Sequence, residues 1–279
     1  MQFLKRIFDF YLFSNIHVAL SGFCLTKVTL FKFNIENSLT PYFVGLSIII
    51  SYNFIRFFEI KKKRLNWYKN WFELNKKYLF ILSFITLLLL GLVLNSDNFK
   101  MKSIVILFPF AFMTFFYVVP LFKIGKLEVS FRNFPFIKIF SIAVAWAGIT
   151  VLFPIYDANY SISEHVFLEF FQRTLLLISI TIPFDIRDVK RDSDTLKTIP
   201  QVLGVVNSKL LGYMLLLGFV CIGFIRNDFA NLDVILLIIV AMISAGFLFF
   251  SSEKRTRYYT AFWVEAIPII WFILIILFL

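Results

Sequence analysis

The chain has 279 residues, 60% of them hydrophobic, a mean hydropathy of +0.84 and only 16% charged residues. That balance excludes a soluble domain of this length, which could not cover so much apolar surface with so few charges, and makes lipid the solvent. The net charge of +11 would point to nucleic acid in a soluble protein, but here the cations sit in short loops between apolar runs, so no nucleic-acid partner is expected and the charge is topological.

A helix crossing roughly 30 Å of hydrocarbon needs about 20 residues. Read against that length, the apolar runs predict an all-α integral membrane fold of nine spans. These run from Phe10 to Phe31, Pro41 to Ile60, Tyr78 to Leu94, Ile104 to Phe122 and Phe134 to Phe153. Val166 to Pro183, Leu210 to Ile225, Val234 to Phe250 and Tyr259 to Leu279 follow. The first run lacks a short apolar core followed by a small-residue cleavage site, so it is expected to stay as a membrane helix. The third, seventh and eighth runs are short, within what tilt and snorkelling accommodate. Cys24 and Cys221 lie inside apolar runs and imply neither a disulfide framework nor a metal site.

The loops set orientation. One side carries 21 Lys and Arg residues, from Lys5 and Arg6 to Lys254, Arg255 and Arg257, and the other carries 4: Lys32, Lys100, Lys102 and Arg226. The positive-inside rule then places the N-terminus in the cytoplasm and the C-terminus outside, with a bacterial inner membrane as the expected location. No connecting stretch exceeds about 27 residues, too short for a folded unit of its own, so residues 1–279 form one transmembrane domain.

The stretch that carries chemistry follows the sixth span. Asp185, Asp188 and Asp192 are spaced i, i+3, i+7, which puts three carboxylates on one helical face. Adjacent anions repel unless a cation sits among them, and hard oxygen ligands at this density suit Mg²⁺ shared with substrate phosphates. Arg187, Arg191 and Lys197 could add positive charge for phosphate oxygens. A mixed-charge loop is usually only solvated. Here the acidic face begins directly after Pro183, at the membrane boundary, and interrupts a side otherwise dominated by Lys and Arg.

Asp185-Ile186-Arg187-Asp188-Val189-Lys190-Arg191-Asp192, followed by Lys197, Thr198, Pro200 and Gly204, resembles the second motif of the UbiA superfamily of intramembrane prenyltransferases. That motif reads approximately D-x-x-D-x-x-x-D, then Lys, Thr-Leu-Pro and Gly, between helices six and seven of nine. The family's first motif, typically N-D-x-x-D-x-E-x-D at the end of helix two, aligns with Asn53 to Lys61. Asn53 and Glu59 are kept, while Phe54, Phe57 and Lys61 stand where the family has aspartates. Tyr117 and Lys126 loosely match positions near the diphosphate, and equally suit an interfacial Tyr and a topogenic Lys.

The resemblance implies a UbiA-like bundle around a central cavity, with an isoprenyl diphosphate and a lipophilic acceptor as partners and membrane lipid around them. It makes Asp188 and Asp192 catalytic Mg²⁺ ligands and Asp185 a third ligand or an orienter. Lys197 would clamp phosphate and Asn53 would be the surviving contact of the first motif. Arg56 is expected either to touch the diphosphate or to pair with Asp185 or Asp188. Among ionisable groups inside spans, Glu169 and Arg173 stand i, i+4 and read as a structural ion pair. His17 and Lys27 read as interfacial or packing residues, and Glu265 faces a cavity or snorkels. Three functions follow: a Mg²⁺-assisted prenyltransferase, a divergent relative that binds an isoprenoid or lipid phosphate without transfer, and, last, a transporter.

Overall fold

The computed structural model describes residues 2–36, 38–61, 66–120, 122–124, 127–129, 131, 137–192, 196–226 and 232–279. Lipid offers no partner for backbone N–H and C=O groups, so apolar runs of this length satisfy them internally as helices. Among the described residues, seven helices are long and apolar enough to cross a membrane, which makes this an all-α, multi-pass membrane protein. Counting one bent pair as a span raises the number to eight, and the Met101–Tyr117 segment is a shorter apolar helix.

The bent pair is the predicted first span. It is two helices, α1 (Gln2–Phe13) and α2 (Ile16–Lys32), meeting at 53°. The break falls at Asn15, at φ 69° in the left-handed region that Asn tolerates better than most residues, and its side chain donates to Asn53 Oδ1 at 2.8 Å. Next come α3 (Thr40–Lys61) and α4 (Asn66–Leu94). The latter starts three turns before the apolar run, because polar residues such as Lys69 and Lys76 continue a helix as readily as Leu. A 3₁₀ stretch, Met101–Leu107, leads into α5 (Phe108–Val118), and a short antiparallel hairpin pairs β1 (Phe122–Ile124) with β2 (Leu127–Val129).

Helix α6 (Ile137–Ala147) continues through a π turn at Gly148–Leu152 into α7 (Phe153–Asp157). Helix α8 (Glu164–Asp188) continues past an internal Pro183, which lipid-embedded helices accommodate. Helix α9 (Ile199–Arg226) begins eleven residues before its apolar run and kinks at Gly204. Then come α10 (Leu232–Phe249), a π turn at Tyr259–Val264 and α11 (Ile267–Phe278).

Successive contacts close a ring: α2 against α3, α3 against α5, then α6, α8, α9, α10 and α11, which returns to α2. Helix α4 packs outside α3 and turns Phe80, Leu88 and Leu92 outward, as lipid-facing residues should. Lipid is as apolar as a leucine core, so hydrophobicity does little to hold these helices together. Close packing and interhelical hydrogen bonds must do more. The packing centres on Trp271, which meets Phe219 edge-on at 5.6 Å. The polar ties include Gln172 Nε2 to the Phe219 carbonyl at 2.8 Å, Ser179 Oγ to the Gly212 carbonyl at 3.1 Å, and buried His17 Nε2 to the Phe262 carbonyl at 2.9 Å.

The expected Glu169–Arg173 pair forms, at 2.7 Å, and both side chains are fully buried. Its setting is larger than the spacing indicated. Lys32 Nζ lies 2.9 Å from Glu169 and Arg226 binds the same carboxylate, while Lys32 and Arg173 both stack on Trp271 at 4.9 Å. One glutamate thus joins α2, α8 and α9.

Candidate functional site

A cavity of about 400 Å³ lies inside the ring, lined from α2, α3, α5, α6, α8 and α11. One part of its wall is apolar, with Ile142, Ala145, Trp146, Leu177 and Ile180 among the lining residues. The other part is charged. Leu177 and Asp185 stand two turns apart on α8, so apolar and charged walls are offset by about 12 Å along that helix.

The end of α8 positions the predicted carboxylates. Asp185 and Asp188 occupy its last turn, and one further turn is closed by the Asp192 N–H donating to the Asp188 carbonyl at 2.8 Å. All three line the cavity, as the i, i+3, i+7 spacing predicts. Arg56, Arg187 and Tyr117 line it as well. So do Glu59 and Glu265, the latter facing the cavity rather than snorkelling.

Other expected residues lie elsewhere. Asn53 is not among the lining residues; it bonds Asn15 and, at 3.5 Å, Ser83, tying α2, α3 and α4 together. Lys197 is exposed, at φ 43°, and is not among the lining residues either. Lys126 falls outside the described residues. Phe54 stacks on Phe115 at 5.9 Å and Phe57 lies 6.4 Å from Phe72, so both side chains pack against neighbouring rings.

The residues that follow the three aspartates start a helix. The Thr198 N–H donates to Gln201 Oε1 at 2.9 Å, which is one half of a capping box, and Pro200 follows in the first turn of α9, where its missing N–H costs nothing. Gln201 Nε2 also reaches the Asp192 carbonyl at 3.2 Å, so the cap of α9 holds the turn that carries the third carboxylate.

Two lining residues, Lys138 and Arg257, were counted in the sequence only as orienting loop charges. Lys138, in the first turn of α6, puts Nζ 2.6 Å from Asp185 Oδ1 and 3.6 Å from Asp192 Oδ2. Its side chain is 14% exposed, against 4% for Asp185 and 18% for Asp192. Arg187 grips both oxygens of Asp188, with Nε to Oδ1 at 2.9 Å and Nη2 to Oδ2, and reaches Thr260 as well. Arg191 stands 3.7 Å from the same carboxylate. Arg257 is held below the usual arginine range, first by burial and then by the neighbouring Arg191 and Arg187 cations, with Asp188 opposing. Outside the cavity Lys190 pairs with Glu253 at 2.6 Å, a hydrogen bond that raises its pKa and joins the end of α8 to the loop before α11.

These residues do not fit a Mg²⁺ ion. A cation within the chain already sits against each of the three carboxylates, and an ion bridging Asp185 and Asp192 would need the space that Lys138 Nζ fills. Among the described residues no group of three or more His, Cys, Asp or Glu side chains is placed to hold a metal. What the arrangement can do without one is bind an anion at a cluster of guanidinium groups beside an apolar wall. In comparisons with family models, curated proteins and solved structures, nothing matches this chain.

Proposed function

We propose that this chain binds an isoprenyl diphosphate inside the membrane and acts as a UbiA-like prenyltransferase, moving the isoprenyl group to a lipophilic acceptor such as an aromatic ring or a quinone precursor. One observation carries the reading: Arg56, Arg187, Arg191 and Arg257 converge on a cavity whose adjoining wall is apolar. The chemistry needed there is modest. The allylic carbon–oxygen bond breaks with its electron pair leaving on the diphosphate, and preorganised cations stabilise that charge. The acceptor carbon attacks the allylic cation and then loses its proton to restore its ring. The reading takes Met101–Val118 as a ninth span, with the N-terminus cytoplasmic and the C-terminus outside a bacterial inner membrane. The 21-to-4 asymmetry of loop cations supports that orientation.

A second reading, a relative that binds an isoprenoid or lipid phosphate without transferring it, is favoured by a different observation. Phe54 and Phe57 replace acidic positions of the first motif, which leaves fewer groups arranged to help the diphosphate depart. The experiment that separates the two incubates purified protein with geranyl, farnesyl and geranylgeranyl diphosphate, with and without a phenolic acceptor, and measures binding and diphosphate release together. Binding with release supports the transferase and binding without release supports the binder. No binding of any of the three rejects the isoprenyl-diphosphate reading.

A further inference from the structure

Both walls of the cavity depart from a metal-binding pattern in the same direction. On α8, Lys138 Nζ lies between Asp185 and Asp192, and Arg187 occupies both oxygens of Asp188. On α3, Phe54 and Phe57 stand where the UbiA resemblance would place opposing carboxylates, and the two charged lining residues there are Arg56 and Glu59, one of each sign. Arg56 stacks on the Tyr68 ring at 5.1 Å and has no ion-pair partner among the described residues. The lining cations Arg56, Lys138, Arg187, Arg191 and Arg257 equal in number the carboxylates Glu59, Asp185, Asp188, Asp192 and Glu265. A dication is drawn to a surplus of carboxylates, and none exists here.

We propose that the Lys138 ammonium takes the place of a divalent cation in this cavity, so that a phosphate ester carrying an apolar tail is held by the chain's own ammonium and guanidinium groups without metal. Lys138 is a positioning residue in this arrangement. Its single positive charge offsets one of the two negative charges of Asp185 and Asp192, which lessens their repulsion of the phosphate and leaves Arg56 to meet it. The ligand class rests on the proposed function above, whereas the exclusion of metal rests on the Lys138 geometry alone.

Two measurements on the full chain in phosphatidylcholine nanodiscs test this. In the first, Mn²⁺ is titrated and followed by electron paramagnetic resonance. Wild type is expected to bind no Mn²⁺ at the aspartates, and Lys138→Met to gain a site at least about tenfold tighter than any in wild type, lost again when Asp185→Asn is added. Wild-type Mn²⁺ binding that disappears in Asp185→Asn would overturn the proposal, and this comparison stands even if Lys138→Met does not fold. In the second, a non-cleavable farnesyl thiolodiphosphate is titrated in EDTA and in Mg²⁺, with phosphatidic acid as a competitor. Wild-type affinity is expected to agree within about twofold between the two buffers, and that of Lys138→Arg likewise. A tenfold loss in EDTA would overturn the proposal. Displacement by phosphatidic acid would assign the same metal-free site to a lipid headgroup. Failure of the thiolodiphosphate to bind in either buffer would reject the isoprenyl ligand, while the Mn²⁺ titration would still decide the metal.

Discussion

Arg257 reaches the cavity from the loop before α11 and Arg56 from α3, so neither depends on the other for its place. A hydrogen bond to a charged group contributes about 1.5–3 kcal/mol. Arg257→Gln is therefore expected to weaken isoprenyl diphosphate binding by about ten- to a hundredfold in calorimetric titration, and unchanged affinity would remove Arg257 from the site. Glu169 is the opposite case, a residue for stability. Its loss leaves Lys32, Arg173 and Arg226 buried around no anion, and removing one partner from a buried ion pair costs about 3–5 kcal/mol. Glu169→Gln should sharply lower the unfolding temperature in detergent, and a change of a degree or two would contradict that account. The Glu169–Arg173 pair was legible in the sequence because both lie on one helix face. Lys32 and Arg226 were not, because they come from α2 and α9 and no local period links them.

Helix α9 shows what Thr198, Pro200, Gln201 and Gly204 do for the fold. Thr198, Pro200 and Gln201 begin the helix, and Gly204 then turns it at φ 77°, ψ 162°, a region essentially restricted to glycine. Gly204→Ala is expected to cost about 1–3 kcal/mol, read as a lower midpoint of thermal unfolding. A Cβ there meets nothing within 4 Å, so the penalty would be backbone strain and not a clash. Gly148, within the π turn after α6, fails for the other reason: a Cβ would collide with the ring of Phe110. Gly148→Ala should force Phe110 aside at about 1–3 kcal/mol, and Phe110→Ala in the same chain should recover part of that clash penalty. The apolar runs located α4 and α9 but began both of them about three turns late. Hydropathy registers the lipid-facing length of a helix, and the polar turns of α4 and the capped start of α9 extend beyond it.

At the scale of the molecule the open quantity is parity. Between Gln2 and Lys254 lie eight spans if Met101–Val118 crosses the membrane and seven if it does not. In a chain carrying Cys24→Ala and Cys221→Ala, single cysteines at Gln2 and Lys254 should react with an impermeant maleimide from the same side. A cysteine at Asn159 should react from the opposite side. Labelling of the first two from opposite faces would remove the ninth span and invert half of the topology.

Some properties of this protein follow from its residues in order. The lipid environment, the places of the helices and the acidic face at the end of α8 all depend on local composition and on periods of a few residues. These act over one or two turns and survive whatever the helices later pack against. The tertiary structure alone decided which charges meet. Closing the ring brings Lys138 of α6 between Asp185 and Asp192, draws Arg257 into the cavity from the far end of the chain and turns Asn53 away toward Asn15. In a low-dielectric interior the effect of a carboxylate depends on its nearest counter-charge, and that partner is chosen by packing between residues tens to hundreds of positions apart.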